Sequence, residues 1–193
     1  MFTRLDILGF WRQAKISDNR LAEVKAVADK IMGFRQQFYD PVAVATGVPW
    51  YGIATKDYRE PEPAFNHSQY LGNGDPLSHK TTHVPRNRGP FLGPNAWQDG
   101  AMDAIHISGW DHLPSGWHWD IVTLLIKDEA FNGMGYAHMG LRSPYVFGGT
   151  NMQQRGKYTG DGHFDPSHWD TQIGTAAIYL ALKEFHGIDL SEA

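Results

Sequence analysis

The sequence predicts a mainly α (α+β) fold, with helices gathered around one buried central helix and a small irregular β/loop lobe. Three observations carry that prediction. Apolar residues recur at three- and four-residue steps in several separate windows. One window, 121–131, is apolar almost all round, the pattern of a helix surrounded by protein. The 21 glycines and 11 prolines concentrate in 61–94 and 133–169 rather than in those windows.

In order along the chain, Ser17 or Asp18 caps a helix over 18–38 that turns Leu21, Val24, Ala28, Ile31, Phe34 or Arg35, and Phe38 inward. Asp40-Pro41 restarts a short helix, because proline suits the first helical position. Gly47 interrupts it, and Pro49 opens another with Trp50, Ile53 and Ala54 on one side. Pro61 disfavours α geometry in the residue before it, so this helix stops near Arg59 or Glu60. No helical period survives over 61–94; Asn73-Gly74-Asp75-Pro76 is a turn and 79–84 reads as a short strand. Asn95 with Gln98 is a capping-box variant opening a helix with Trp97, Ala101, Ala104 and Ile105 inward. Asn132-Gly133 stops the 121–131 helix. A last helix follows Asp170, with Ile173, Ala177, Leu180, Ala181 and Phe185 inward and Gly187 beyond it. One domain over 1–193 is expected, comprising N-terminal helices in 1–47, the loop/β lobe 61–94 and a helical lobe 95–193 whose loops at 133–169 wall a cleft.

Composition removes several classes of function. An apolar share of 41% with 13% aromatics is unlike a disordered chain. A net charge of −4 lacks the basic footprint of a nucleic-acid binder. No apolar run approaches the roughly 20 residues of a membrane helix, so no membrane insertion is expected. Zero cysteines exclude disulfides, thiolate metal sites and cysteine nucleophiles. Arg4, Asp6 and Arg12 break the N-terminal apolar residues, so no secretory signal is read there. His79, His83, His112, His118, His163 and His168 form no His-Glu-x-x-His pattern or compact ligand set. Residues 161–165 lack the spacing of a calcium loop, and no Gly-x-Ser-x-Gly elbow occurs. No cofactor and no metal are expected.

The chemistry concentrates in Tyr58-Arg59-Glu60, Phe65-Asn66 and Leu71-Gly72-Asn73-Gly74-Asp75-Pro76-Leu77. Glu60 falls at a helix C-terminus, where carbonyl dipoles disfavour a carboxylate charge, and Tyr58 and Phe65 can desolvate it. Such a group keeps its proton, as a general acid must. Asp75, in a polar glycine-flanked turn, is expected to stay ionised. Two carboxyls in contrasting environments make an acid/base arrangement for cleaving a glycosidic bond. Glu62 and Asp57 are the competing carboxylates.

These motifs resemble those of the lysozyme-family peptidoglycan hydrolases of phages and bacteria, in which a Tyr-Arg-Glu-like motif ends a helix and a Leu-Gly-Asn-Gly-Asp-Pro-Leu-like turn follows. The resemblance runs on through Thr81-Thr82-His83-Val84-Pro85, the helix beginning at Trp97, Phe131-Asn132-Gly133-Met134-Gly135-Tyr136, Ser143-Pro144-Tyr145, Gly156-Lys157-Tyr158, Asp161-Gly162 and Phe164-Asp165-Pro166, about residues 48–185 in all. It implies a lysozyme-like fold and cleavage of the β-1,4 bond between N-acetylmuramic acid and N-acetylglucosamine. It makes Glu60 the general acid, Asp75 the second polar catalytic group, and Thr82 (or Thr81) a residue that positions the attacking water. His67-Ser68-Gln69-Tyr70 lengthens the segment before the turn, and Pro61 and Pro63 flank Glu62; a register shift of two would make Glu62 the acid.

Tyr58, Asn73, Tyr136, Tyr145 and Asn151 are expected to bind the glycan, aromatic faces stacking on sugar rings and amides bonding to hydroxyl and acetamido groups. The expected partner is the peptidoglycan glycan strand and the expected state a monomer. The protein is expected to be made in a bacterial cytoplasm and to act on the wall after release or as part of a virion. Peptidoglycan is itself anionic, so recognition should rest on the cleft and depend little on salt. A lytic transglycosylase, a non-catalytic wall-binding or virion module, and a zinc amidase remain the alternatives.

Overall fold

The computed structural model describes residues 2–132, 135–160 and 162–191 and is mainly helical. Its helices are α1 (Arg4–Gln13), α2 (Leu21–Phe34), α3 (Asp40–Thr46), α4 (Trp50–Arg59), α5 (Ala96–Ile107), α6 (Ile121–Asn132), α7 (Pro144–Phe147) and α8 (Thr175–His186). Two short antiparallel strands, β1 (Lys157–Gly160) and β2 (His163–Asp165), pair Tyr158 with Phe164. Among the described residues no helix is long and apolar enough to cross a membrane. The chain divides into two compact units, Met1–Lys30 with His118–Ala193, and Ile31–Trp117, the boundary falling inside α2.

Through α2, which the two units share, and the Ile31–Trp117 unit, local chemistry sets most boundaries. The helix expected over 18–38 is three pieces: a 3-10 turn at Asp18–Arg20, α2, and a π-turn at Arg35–Tyr39 that runs into α3. Val24, Ala28 and Ile31 are buried as expected, whereas Leu21 is 42% exposed. Pro41 occupies the first turn of α3, and Gly47 closes it at φ +73°, a left-handed conformation that costs glycine little. Pro49 opens α4, whose residues Gly52 to Asp57 are all buried, and Glu60 caps its C-terminus. α5 buries Trp97, Ala101, Ala104 and Ile105 as expected. Its capping box does not form: Asn95 makes no side-chain cap bond, because its ψ of 20° departs from the extended backbone that aims a cap at the helix N–H groups.

The strand expected over 79–84 is also absent. Thr81 folds its segment back instead: its N–H donates to Arg88 O (2.9 Å), its carbonyl accepts from Asn87 N (2.9 Å) and its hydroxyl donates to Pro85 O (2.6 Å). The β character of 61–94 reduces to one bridge, Gln69 with Pro76, across the turn at Gly74 (φ +75°). Tyr70 stacks on Phe91 and donates to Asp103 (2.7 Å), which also receives the Arg88 guanidinium, so side chains do the work of a ladder here.

In the other unit, α1 falls in the stretch 1–47 where N-terminal helices are expected, ahead of the helix expected from 18. Its capping box is complete: Asp6 N–H donates to Thr3 Oγ1 (3.2 Å) and Thr3 N–H to Asp6 Oδ2 (2.7 Å). The fully surrounded helix is α8, buried without a break from Thr175 to Leu182, rather than 121–131, where burial stops at Leu125 and returns only at Asp128. Small residues explain this. Ala176, Ala177 and Ala181 let neighbours approach, and Gly174 N–H bonds Gly148 O where a Cβ on Gly174 would stand 2.4 Å from Val146 O. Phe185, expected inward, is 37% exposed. Gly133, named as a helix stop, lies outside the described residues.

Glu129 on α6 borders a cavity of about 350 Å³ lined by Phe2, Ile7, Ile126 and Tyr136 among others. Burial and then the Asp128 charge push its carboxyl up to about 7, against the pull of the Ser143 N–H. Because the folded value lies above the ordinary 4.5, folding favours the protonated acid, and stability falls as pH rises from 4.5 through about 7. Glu129→Gln is expected to match the wild type at pH 4 and to exceed it at pH 8 by about 2–3 kcal/mol, after discounting for partial exposure. Urea melts at the two pH values check this.

Candidate functional site

Glu60 is half-buried at the C-cap of α4, its N–H bonded to Lys56 O (2.9 Å). The chain then turns sharply. Phe65 adopts φ +62°, a conformation that is an outlier for a bulky residue, and its N–H donates back to Asp57 O (3.0 Å). The Phe65 ring lies 5.7 Å from Phe34 and 5.6 Å from Tyr58, so Tyr58, two residues before Glu60, packs within an aromatic patch. Of the competing carboxylates, Glu62 is exposed and its carbonyl accepts from Gln69 Nε2 (3.1 Å). Asp57 is fully buried, accepting the Tyr39 hydroxyl (2.8 Å) and facing His67 Nε2 (2.8 Å). The π-turn presents Phe38 and Tyr39 together: Phe38 stacks on the His67 ring at 3.6 Å while Tyr39 reaches Asp57.

Asn73, Asp75 and Thr82 come together in one cluster. Asp75 Oδ2 accepts from Thr82 N (2.6 Å), His83 N (2.9 Å) and Thr82 Oγ1 (3.4 Å), and Oδ1 faces His83 Nδ1 (2.7 Å). Asn73 Nδ2 donates to His83 O (3.1 Å), and its Oδ1 accepts from Asp75 N (3.0 Å). The bond from Gln69 to Glu62 ties this turn to the segment that follows Glu60. The His83 N–H above all, then the His83 ring and Thr82 N–H, hold the Asp75 carboxyl down at about 2 against its own desolvation. Asp75 is therefore a fixed charge that clamps the 82–83 loop, and a poor base. A lowered carboxyl stabilises the fold above its ordinary 3.8 and loses that contribution as pH falls through about 2. Asp75→Asn is expected to melt below the wild type at pH 7, with the difference closing between pH 4 and 2 in a series of thermal melts.

Beside the cluster lies an open cavity of about 490 Å³ that includes Asn66, Gln69, Phe91 and Leu92 in its walls; Glu60 is not one of its lining residues. Tyr136, Tyr145 and Asn151 belong to the unit built from Met1–Lys30 and His118–Ala193. Tyr136 is buried with its hydroxyl accepting from Tyr158 N (3.1 Å), and its ring packs against Tyr158 and Phe164. Tyr145 is buried in α7 behind the Ser143 cap. Asn151 is exposed, yet both ends of its amide are taken, by Lys15 N (2.8 Å) and Gln13 O (3.1 Å). The aromatics of this unit pack on one another more than they stand open.

Sequence reasoning missed His67, Tyr39 and His83 as site supports: His83 lies in the Thr81–Pro85 motif but was given no role there, and Tyr39 and His67 meet Asp57 from 18 and 10 residues away. It also missed His106, which with Asp111 and His112 forms the one cluster of potential metal ligands among the described residues. No protein-family model matches the chain, and neither a curated protein nor a solved structure matches it.

Proposed function

We propose that this chain is a peptidoglycan glycosidase, a muramidase of lysozyme-like fold that hydrolyses the β-1,4 bond between N-acetylmuramic acid and N-acetylglucosamine as a monomer. The observation that carries the reading is the placement of Glu60: a half-buried carboxyl closing a helix whose preceding turns are buried, followed at once by backbone strained at Phe65. Strain of that kind persists where surrounding structure over-determines it, and it gathers at functional sites. Glu60 protonates the glycosidic oxygen and the sugar passes through an oxocarbenium-like transition state. Asp75 lends fixed negative charge and holds Thr82, an exposed residue that orients the attacking water, and the now-ionised Glu60 takes that water's proton, which restores the acid. The cavity lined by Asn66, Gln69 and Phe91 offers amides and a ring face for a neighbouring sugar. The chain reaches the wall after release from the cell or as part of a phage particle.

One observation favours a second reading. Every Asp75 contact is already made within the protein, so a one-glutamate lytic transglycosylase on the same bond fits as well as a hydrolase that needs a second carboxylate as base. Mass spectrometry of muropeptides released from purified sacculi separates them. Hydrated reducing ends support the hydrolase, anhydro-muramic ends the transglycosylase, and no release with retained binding makes the chain a wall-binding module.

A further inference from the structure

We infer that His106, Asp111 and His112 form a binding site for a single divalent transition-metal ion of the zinc class. The fold brings them together locally. His106 lies in the last turn of α5, and Gly109 at φ +64° reverses the chain after it. Trp110 is buried and its N–H bonds Ile105 O (3.0 Å), anchoring the turn, while His112 N–H bonds Gly109 O (3.2 Å). The result sets two imidazoles on one carboxylate, His106 Nδ1 at 3.3 Å from Asp111 Oδ2 and His112 Nδ1 at 3.6 Å from Asp111 Oδ1. All three ligand atoms lie within 4.8 Å of one another. An ion holding ligands at about 2.0–2.2 Å in a tetrahedron keeps them about 3.3–3.6 Å apart, so the cluster needs only a small adjustment.

A second observation points to a ligand. Asp111 Oδ1 is buried and accepts no hydrogen bond, and buried carboxylate oxygens left in that state call for an explanation. A metal ion supplies one. Two imidazole nitrogens and a carboxylate, with no thiolate and few oxygens, suit zinc, nickel or cobalt rather than calcium or magnesium. The imidazole side chains are 75% and 71% exposed, so an ion enters freely and keeps water at its remaining positions. Binding staples the end of α5 to the turn beyond it and stabilises the chain by mass action.

Calorimetric titration of the chelator-treated protein with zinc chloride tests the site. One ion per chain is expected, and magnesium should not displace it. His106→Ala and His112→Ala should each weaken binding about ten-fold or more, since loss of even an indirect ligand support has that effect. Both side chains are exposed, so the metal-free variants should melt as the wild type does; His118→Ala, at a separate histidine, should bind normally. In proton NMR the ring signals of His106 and His112 should shift together as zinc is added. Absence of binding, or binding that survives both alanine variants, overturns the proposal and leaves the cluster as histidine–aspartate ion pairs.

Discussion

Glu60→Gln is expected to lower the rate of peptidoglycan cleavage by about 10²–10⁴-fold, the usual contribution of a general acid, with no material change in melting temperature. Glutamine has the same shape, so it preserves the cap of α4, whose closing bond runs from the residue-60 backbone N–H to Lys56 O. What it lacks is the acidic proton for the leaving oxygen. Glu62→Gln should keep nearly full activity: that side chain is exposed, and the structural bond made by this residue is accepted by its backbone carbonyl. Release of reducing ends from sacculi, measured alongside thermal melts, reads both variants. An inactive Glu62→Gln with an active Glu60→Gln would place the acid two residues later, two active variants would remove both carboxyls as the acid, and no release by the wild type would remove the glycosidase reading altogether.

What was legible in the sequence was what depends on neighbours a few residues apart. Pro41, Gly47, Pro49 and Pro61 act through their own dihedrals or the adjacent residue, and the boundaries they imply for α3 and α4 are the boundaries observed. The same reasoning put Glu60 at a helix end and gave Asp75 an ionising environment. Roles set by partners far along the chain were not legible. Asp57 competed with Glu60 on paper, but its partners Tyr39 and His67, 18 and 10 residues away, make it a buried support. Thr81 and Thr82 have the β-branched look of a strand, yet their hydroxyls and amides serve a loop closed by Arg88 and Asp75. The burial of α8 follows from alanines and glycines that permit close approach, a signal weaker in sequence than the apolar run in α6. His106, Asp111 and His112 are close in sequence and escaped notice because zinc motifs search for fixed spacings, whereas Gly109 and buried Trp110 set this geometry.

Asp57→Ala is expected to destabilise the chain by about 1–3 kcal/mol for each buried donor that it leaves without an acceptor. Asp57 and Tyr39 are both wholly buried, so the substitution strands the Tyr39 hydroxyl away from water, and His67 loses the carboxylate that its Nε2 faces. Burial first, and then the Asp57 charge, hold the Tyr39 hydroxyl protonated far above its ordinary range. It therefore donates throughout neutral and alkaline conditions, and the tyrosine part of the loss should not vary between pH 6 and 9. Tyr39→Phe separates the contributions. It removes the donor and leaves Asp57 facing His67, so it should cost about 1–3 kcal/mol. In an Asp57→Ala background the same change should cost much less, because the hydroxyl has already lost its acceptor. Urea melts of the four proteins measure that coupling, and strictly additive losses would mean the bond contributes nothing. Activity adds a second readout, taken well below the melting temperature. Asp57 lies one helical turn before Glu60, and its carbonyl receives the Phe65 N–H that closes the strained turn. Loosening Tyr39 and His67 around α4 should therefore lower kcat while leaving substrate affinity nearly unchanged, as expected of a group that positions the acid without touching the sugar.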